Sequence, residues 1–448
     1  MLRVWALRFV LFFILVLITQ PHFRFTQLMV LRLGKLTFGL AFVFHVIDCM
    51  GSGRALIRLG AATKLALVLL TFVLLTHYFN PNQWNHRPNA LYDSLWKVCA
   101  VVIILEAQMD NIYRSAAVLG TLAVGTLWWL KGGVRLAQAG ATWGTGDRLM
   151  GANVSIIQNP NDFAYQLVFI IPVYFFFYNV VRHKYVKWAM LGLVFVAAFI
   201  ALETGSRTGL LAFGALIMVM LPRLIREYKG ALMVGVVGMV VLWAVIISPG
   251  NKERLGGVFD AIAIGLGMKE ESQTAVVKAD AESAGSRRIK AKAAWDAIMK
   301  YPVLGMGTNP DPAVYPDPNA GGMVHNEILM AGRTMGLPGM VIYLLSLIIP
   351  IRLGNQVFRR AKVYWPEIAE LGYAVRNQMV VVILGGAFSP SLFHFPHMMC
   401  FVAVASAHKL LMDRMKEDGL NPDTIEMDFA SGEIPEPQAM QNPTWAPA

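Results

Sequence analysis

The chain has 448 residues, 56% of them hydrophobic and only 15% charged, with a formal charge of +11. A soluble domain of this length needs more charge to cover its surface, so composition excludes that class and points to a chain bathed in lipid. The positive balance does not argue for nucleic acid, because Lys and Arg recur in short loops between apolar runs, where membrane topology accounts for them.

The runs Trp5–Thr19, Leu65–Leu75, Phe163–Val181, Trp188–Leu202, Ala231–Ile247 and Met340–Pro350 are nearly free of charge. Each extends to the ~20 residues that cross a hydrocarbon core as a helix. Lipid offers no backbone partners, and the alternation of a barrel strand is absent, so the spans are helices. The first stretch has early Arg3 and Arg8, but Gln20-Pro21-His22-Phe23-Arg24 is a poor cleavage context, so it reads as an uncleaved span. Cys49, Cys99 and Cys400 lie in or beside apolar segments, far apart, and read as small buried hydrophobes rather than a zinc site or disulfides.

Basic clusters follow at Arg54, Arg58 and Lys64, at Arg182, His183, Lys184 and Lys187, at Arg223, Arg226 and Lys229, and from Arg352 to Arg376. The intervening loops Tyr78–Ala90 and Ser389–His397 carry almost no Lys or Arg. With the basic loops inside, the alternation gives about twelve spans and both termini cytoplasmic. The expected fold class is an all-α integral membrane protein, a polytopic bundle of about twelve transmembrane helices with one long external loop. Residues 1–248 carry spans one to nine, 249–325 the loop, 326–412 the last three spans, and 413–448 an acidic, disordered cytoplasmic tail.

The alternation places three segments outside: Lys131–Asp162, the tight turn Glu203–Gly209, and Pro249–His325. In the tight turn, successive small residues present backbone N–H groups as an anion nest to which Arg207 adds charge, or Arg207 meets lipid headgroups. In the long loop, Lys252–Lys278 is weakly patterned. Ser286–Lys300 reads as a helix with Ser286 as cap and apolar positions Ile289, Ala293, Ile298 and Met299. Arg287, Arg288, Lys290, Lys292 and Lys300 make its other side basic, suited to anionic lipid or to a diphosphate. A turn-rich stretch, Tyr301–Asn309, and a Pro/Gly-rich one, Pro310–Met323, lead to His325-Asn326-Glu327 at a membrane edge. His325 there serves as a general base or as an interfacial cap. Gly332, Gly336 and Gly339 suit tight helix packing, and Arg333, about two turns past His325, faces the same cavity. Asp162 reads as a helix cap, Glu203 as an external-edge acid, and His394 and His397 line the same end.

Taken in order, these segments resemble the superfamily of O-antigen ligases and Wzy polymerases. Thr204-Gly205-Ser206-Arg207-Thr208-Gly209-Leu210-Leu211-Ala212 is similar to its first signature. The long loop resembles the family's arginine, tryptophan and P–G-x-G pattern at Arg287/Arg288, Trp295, Pro302, Gly305 and Gly307. His325-Asn326-Glu327-Ile328-Leu329 through Gly336-Leu337-Pro338-Gly339 resembles its closing signature, and Asn159-Pro160-Asn161-Asp162-Phe163-Ala164 a segment common in the family. The resemblance covers 159–339. It implies a bacterial inner-membrane glycosyltransferase that needs no metal or cofactor. It would move a glycan from undecaprenyl diphosphate to an acceptor hydroxyl at the periplasmic face. The acceptor is the lipid A core in a ligase and another lipid-linked repeat unit in a polymerase. By position, Arg207 and one of Arg287/Arg288 hold the diphosphate, and His325 is the base or positions the acceptor. Ser206, Asn326, Glu327 and Arg333 stand behind them, with a glycolipid or saccharide acceptor and membrane lipids as partners. A flippase of lipid-linked sugar and a non-catalytic scaffold are the rival readings; a flippase favours charges near mid-span and internal repeats.

Overall fold

The computed structural model describes residues 2–81, 90–140, 149, 159–241, 247, 251, 252, 255, 275–308, 324–386 and 396–420. The expectations for most of 249–274, for 309–323, for His394 and for the tail beyond Leu420 lie outside the described residues, as does most of 141–158.

Among the described residues the fold is helical. The helices are α1 (Leu2–Thr19), α2 (Pro21–Arg24), α3 (Leu33–Ser52), α4 (Ala61–Phe79), α5 (Ala90–Gln108), α6 (Ile112–Gln138) and α7 (Pro160–Val180). They continue with α8 (Lys184–Glu203), α9 (Arg207–Glu227), α10 (Lys229–Val241), α11 (Ala275–Lys300), α12 (Glu327–Ala361), α13 (Pro366–Gly386) and α14 (Pro396–Glu417). Eight of them, α3, α4, α6 to α9, α12 and α13, are long and apolar enough to cross a membrane. Helices α1, α5 and α14 pack into the same bundle. The chain is therefore a multi-pass helical membrane protein. Lys131, expected to open an external segment, lies inside α6. Cys49, Cys99 and Cys400 are buried and free.

Helix α7 is the axis. Every residue from Phe163 to Phe176 is buried, as expected of a helix that is apolar all round. It packs on α6, α8, α9 and α13. Phe42, Val68, Val124, Met218 and Val237 point outward from the surrounding helices and stay exposed, the arrangement a hydrocarbon solvent favours.

Contacts at the helix ends fix directions. Near the starts of α7 and α9, the Ser206 hydroxyl donates to Asn161 Oδ1 at 2.9 Å. At their far ends, the Tyr228 hydroxyl donates to Asn179 Oδ1 at 3.1 Å. The two helices therefore run side by side in parallel. Helix α13 runs against them: Glu370, near its start, accepts from Asn179 Nδ2 at 2.7 Å and from Arg223 Nη1 at 3.0 Å, while Gly385, at its end, abuts the Tyr165 ring. Lys362, just past α12, donates to Glu227 at 3.0 Å, so α12 runs with α7 and α9. A Cβ on Gly354 of α12 would fall 2.7 Å from the Gly372 carbonyl of α13, so these two helices cross at backbone contact, as small residues permit.

One end of the bundle is consequently tied by an ionic cluster. Arg223 pairs with Glu370 and Glu227, and its guanidinium lies 4.5 Å from the Tyr373 ring, which also takes Arg376 at 4.6 Å. The opposite end gathers the starts of α7, α9 and α12 with the end of α13. The residues singled out from sequence lie at that end.

Candidate active site

The turn between α8 and α9 is held from within. Thr204 Oγ1 donates to the Ala201 carbonyl at 2.6 Å and accepts from the Ser206 N–H at 3.2 Å. The Gly205 N–H bonds the Leu202 carbonyl at 2.9 Å, and the Thr204 N–H bonds Ile200 at 3.1 Å. Three successive N–H groups are thus used inside the turn, which corrects the expectation of an anion nest there. What remains for an anion is the start of α9. Ser206 caps it by accepting from the Gly209 N–H at 3.1 Å, and Arg207 is its first residue. Helix N-termini carry partial positive charge, to which Arg207 adds a full one.

Helix α7 begins against this turn. Asn159, not Asp162, is its cap, accepting from the Asn161 N–H at 2.9 Å; Asp162 sits in the first turn. A Cβ on Gly209 would fall 2.5 Å from Ala164 Cβ, so only a glycine lets the two N-termini approach this closely. Glu203 has a role the sequence did not suggest. Its carbonyl accepts from the Leu149 N–H at 3.2 Å and from Asn251 Nδ2, which also reaches Glu203 Oε2 at 2.7 Å.

Helix α11 is longer than expected. It starts at Ala275, so Ser286 lies within it and is not a cap. Its buried face agrees with the expected one at Ile298 and departs from it elsewhere. Ala294, Ala297 and Ile298 are buried, while Ile289 and Met299, expected on the apolar face, are 55% and 59% exposed. Ile298 packs on Gly332, where an added Cβ would come within 2.7 Å of its Cδ1. Arg287 and Lys290 precede Ala294 and Ala297 by seven residues, two helical turns, so all four share the docked face, and both are half-buried. Arg288 is exposed on the other side, with Lys292, Trp295 and Met299. The two adjacent arginines therefore have different surroundings.

Helix α12 is broken. Gly336 has φ +73°, which interrupts the helical path. Residues Glu327 and Tyr343 would be about 24 Å apart along an unbroken helix. Instead the Tyr343 hydroxyl donates to Glu327 Oε2, so the half-helix Glu327–Met335 folds back against the long second half. The break is filled by the turn after α11. The Met306 N–H bonds the Arg333 carbonyl at 2.7 Å, the Gly307 N–H the Thr334 carbonyl at 3.2 Å, and the Leu337 N–H the Pro302 carbonyl at 2.7 Å. The first two bonds satisfy carbonyls that the end of the half-helix orphans, and the third satisfies an N–H orphaned at the start of the second half. Gly305, at φ +65°, and Gly336 meet backbone to backbone; a Cβ on either would come within 2.6 Å of the other segment. Of the glycines expected to serve packing between helices, Gly332 does so against Ile298 of α11, while Gly336 instead folds this break.

At the buried tip of the half-helix, Asn326 is the cap, accepting from the Leu329 N–H at 2.9 Å. His325 precedes it and is half-buried. Burial, then the charges of Arg287 and Lys290, hold the His325 imidazole below the ordinary histidine range. Helix α11 therefore brings its inner cations to bear on this histidine. Glu327 is 1% exposed and lies against Gly386, with Tyr343 as donor. The His397 ring stands edge-on to Tyr343 at 6.2 Å, which places His397 in the same wall. Arg333 is buried near the other end of the half-helix, its Nη2 3.4 Å from Met330 Sδ. Tyr343 carried no signal in sequence, because its relevance depends on the fold-back.

Contacts lead from Arg207 toward the histidine: Arg207 follows Ser206, Ser206 bonds Asn161, Tyr165 lies one turn on and abuts Gly385, and the neighbouring Gly386 abuts Glu327, two residues past His325. Helix α4 supports the same end from outside. Asn80 Nδ2 donates to the Leu304 and Gly305 carbonyls at 2.9 Å each, and His77 Nδ1 lies 3.0 Å from Thr308 Oγ1.

No curated protein matches the chain. A family model described as O-antigen ligase matches residues 191–344, the segment holding Arg207, Arg287, Arg288 and His325. Over those residues, less than half of its length, the chain is similar to the O-antigen ligase family, whose members are membrane enzymes of the glycosyltransferase kind.

Proposed function

We propose that this protein is an O-antigen ligase-like glycosyltransferase, moving a glycan from undecaprenyl diphosphate to a hydroxyl of a glycolipid acceptor at the periplasmic face. The observation that carries the reading is the placement of Arg287 on the face of α11 that bears on His325, within the segment that matches the family. Twelve spans, both termini cytoplasmic and the α11 end periplasmic complete it; the basic clusters of the opposite end, Arg223, Arg359 and Lys362, follow the positive-inside rule.

In this reading the acceptor oxygen forms a bond to the anomeric carbon, and the bond from that carbon to the diphosphate oxygen breaks. Its electron pair leaves with the lipid diphosphate, and the acceptor proton passes to His325. Arg207, at the start of α9, and Arg287 neutralise the diphosphate as charge develops on it. His325 must be neutral to accept a proton, and its burial and cationic neighbours favour that form. Asn326 and Glu327 hold the histidine's helix in place.

The test is purified protein in micelles with undecaprenyl-diphosphate-linked glycan and lipid A core as acceptor, with no ion gradient. Covalent transfer to the core with release of undecaprenyl diphosphate is expected. Joining of lipid-linked repeats to one another instead would make it a polymerase, and an intact donor under all conditions would sink the enzyme reading.

A further inference from the structure

The basic helix presents two sets of cations, and only one is turned toward the site. Arg287, Lys290, Ala294, Ala297 and Ile298 fall at spacings of three, four, three and one residues, which keeps them on one helical face. The last three are buried, and Ile298 packs on Gly332 of the half-helix of α12. Lys290 therefore lies one turn from Arg287, on the side that docks, and is half-buried. Lys292, only two residues further, is exposed on the outer side with Arg288. An ammonium held on a docked face beside a guanidinium and a histidine loses water and is strongly drawn to an anion.

We infer that Lys290 is a further binding cation for the donor diphosphate beside Arg207 and Arg287, pairing with Arg287 on the docked face of α11 so that two phosphate groups are gripped from this helix where one arginine grips one. The inference rests on the proposed function for the identity of the anion. Among the described residues, the charged groups bearing on the histidine are Arg287 and Lys290 from α11, and Glu327, from the half-helix, directs its carboxylate to Tyr343. Both cations also keep the imidazole neutral, so Lys290 serves the histidine even before donor arrives.

The experiment uses the full chain in micelles. Lys290→Gln, Lys290→Arg and Lys292→Gln are compared with wild type for binding of inorganic pyrophosphate by calorimetric titration and for KM, kcat and pH profile with the lipid-linked donor. Lys290→Gln should weaken pyrophosphate binding and raise the donor KM on the order of tenfold, as loss of one charge-assisted contact does. It should also move the acid limb of the rate profile to higher pH. Lys290→Arg should recover most of the binding, and Lys292→Gln should match wild type. Wild-type binding and KM in Lys290→Gln would overturn the inference while leaving the glycosyltransferase reading intact. Pyrophosphate binding that depends on Lys290 in a protein that transfers no glycan would keep the cation pair and remove the reaction assigned to it.

Discussion

Tyr343 donates a hydrogen bond to Glu327 across sixteen residues of what is nominally one helix. That contact exists only because Gly336 breaks α12 and turns its first nine residues back into the bundle. The histidine that sequence places at a membrane edge is thereby carried to the tip of a buried half-helix, where it meets the inner cations of α11. A donor at helix tips is a recurring arrangement for anions, and α7, α9 and this half-helix all begin at the same end.

The break should be sensitive to a single methyl group. Gly336→Ala places a Cβ 2.5 Å from the Pro302 carbonyl in a backbone region that is essentially glycine-only and costs other residues roughly 1–3 kcal/mol before any clash. A lowered melting temperature in detergent and lost activity are expected. Unchanged melting would mean that the α11 turn and α12 are not interlocked.

Removing one member of the buried pair should cost stability more than chemistry. Tyr343→Phe leaves the Glu327 carboxylate short of a donor, a loss of about 1–3 kcal/mol. Thermal unfolding of the purified variant measures it, and Glu327→Gln with Tyr343→Phe together should cost less than the sum of the two.

The arginines should separate sharply. Arg287→Ala is expected to reduce turnover on the order of a hundredfold, and Arg288→Ala by less than about threefold, since only Arg287 is on the docked face. Arg207→Lys keeps the charge but loses the paired donors, so it should also fall well below wild type with normal membrane insertion. Equal losses at 287 and 288 would contradict the two-faced helix.

Rate should depend on the charge of His325. Because its pKa is depressed, the histidine stays neutral to lower pH than usual, and activity should hold until pH falls below the ordinary histidine range. Arg287→Gln removes a cation, raises that pKa and should shift the acid limb upward in any residual activity. His325→Ala should lose ~10²–10⁴-fold. His325→Gln hydrogen-bonds a hydroxyl but takes no proton, so recovery in that variant would leave His325 a positioning group only.

Much was legible without coordinates. Continuous apolar runs, such as the one ending at Val181, require helices because lipid satisfies no backbone group. Arg207, Arg287 or Arg288, and His325 stood out because charge beside such runs is costly and local pattern resembles a known family. Local sequence could not choose between Arg287 and Arg288. Adjacent residues on a helix differ by about 100° in direction, and which direction is inward depends on what Ile298 packs against. Nor could it show that Ser286 is interior to a helix, that the N–H groups of 204 to 206 are consumed within their own turn, or that Gly336 bends the chain. Composition and hydropathy determined the solvent and the class of structure, since transfer free energy is additive along the chain. Tertiary structure alone decided which side chains meet, because a contact between Glu327 and Tyr343, or between Ser206 and Asn161, depends on chain reversals set by packing elsewhere.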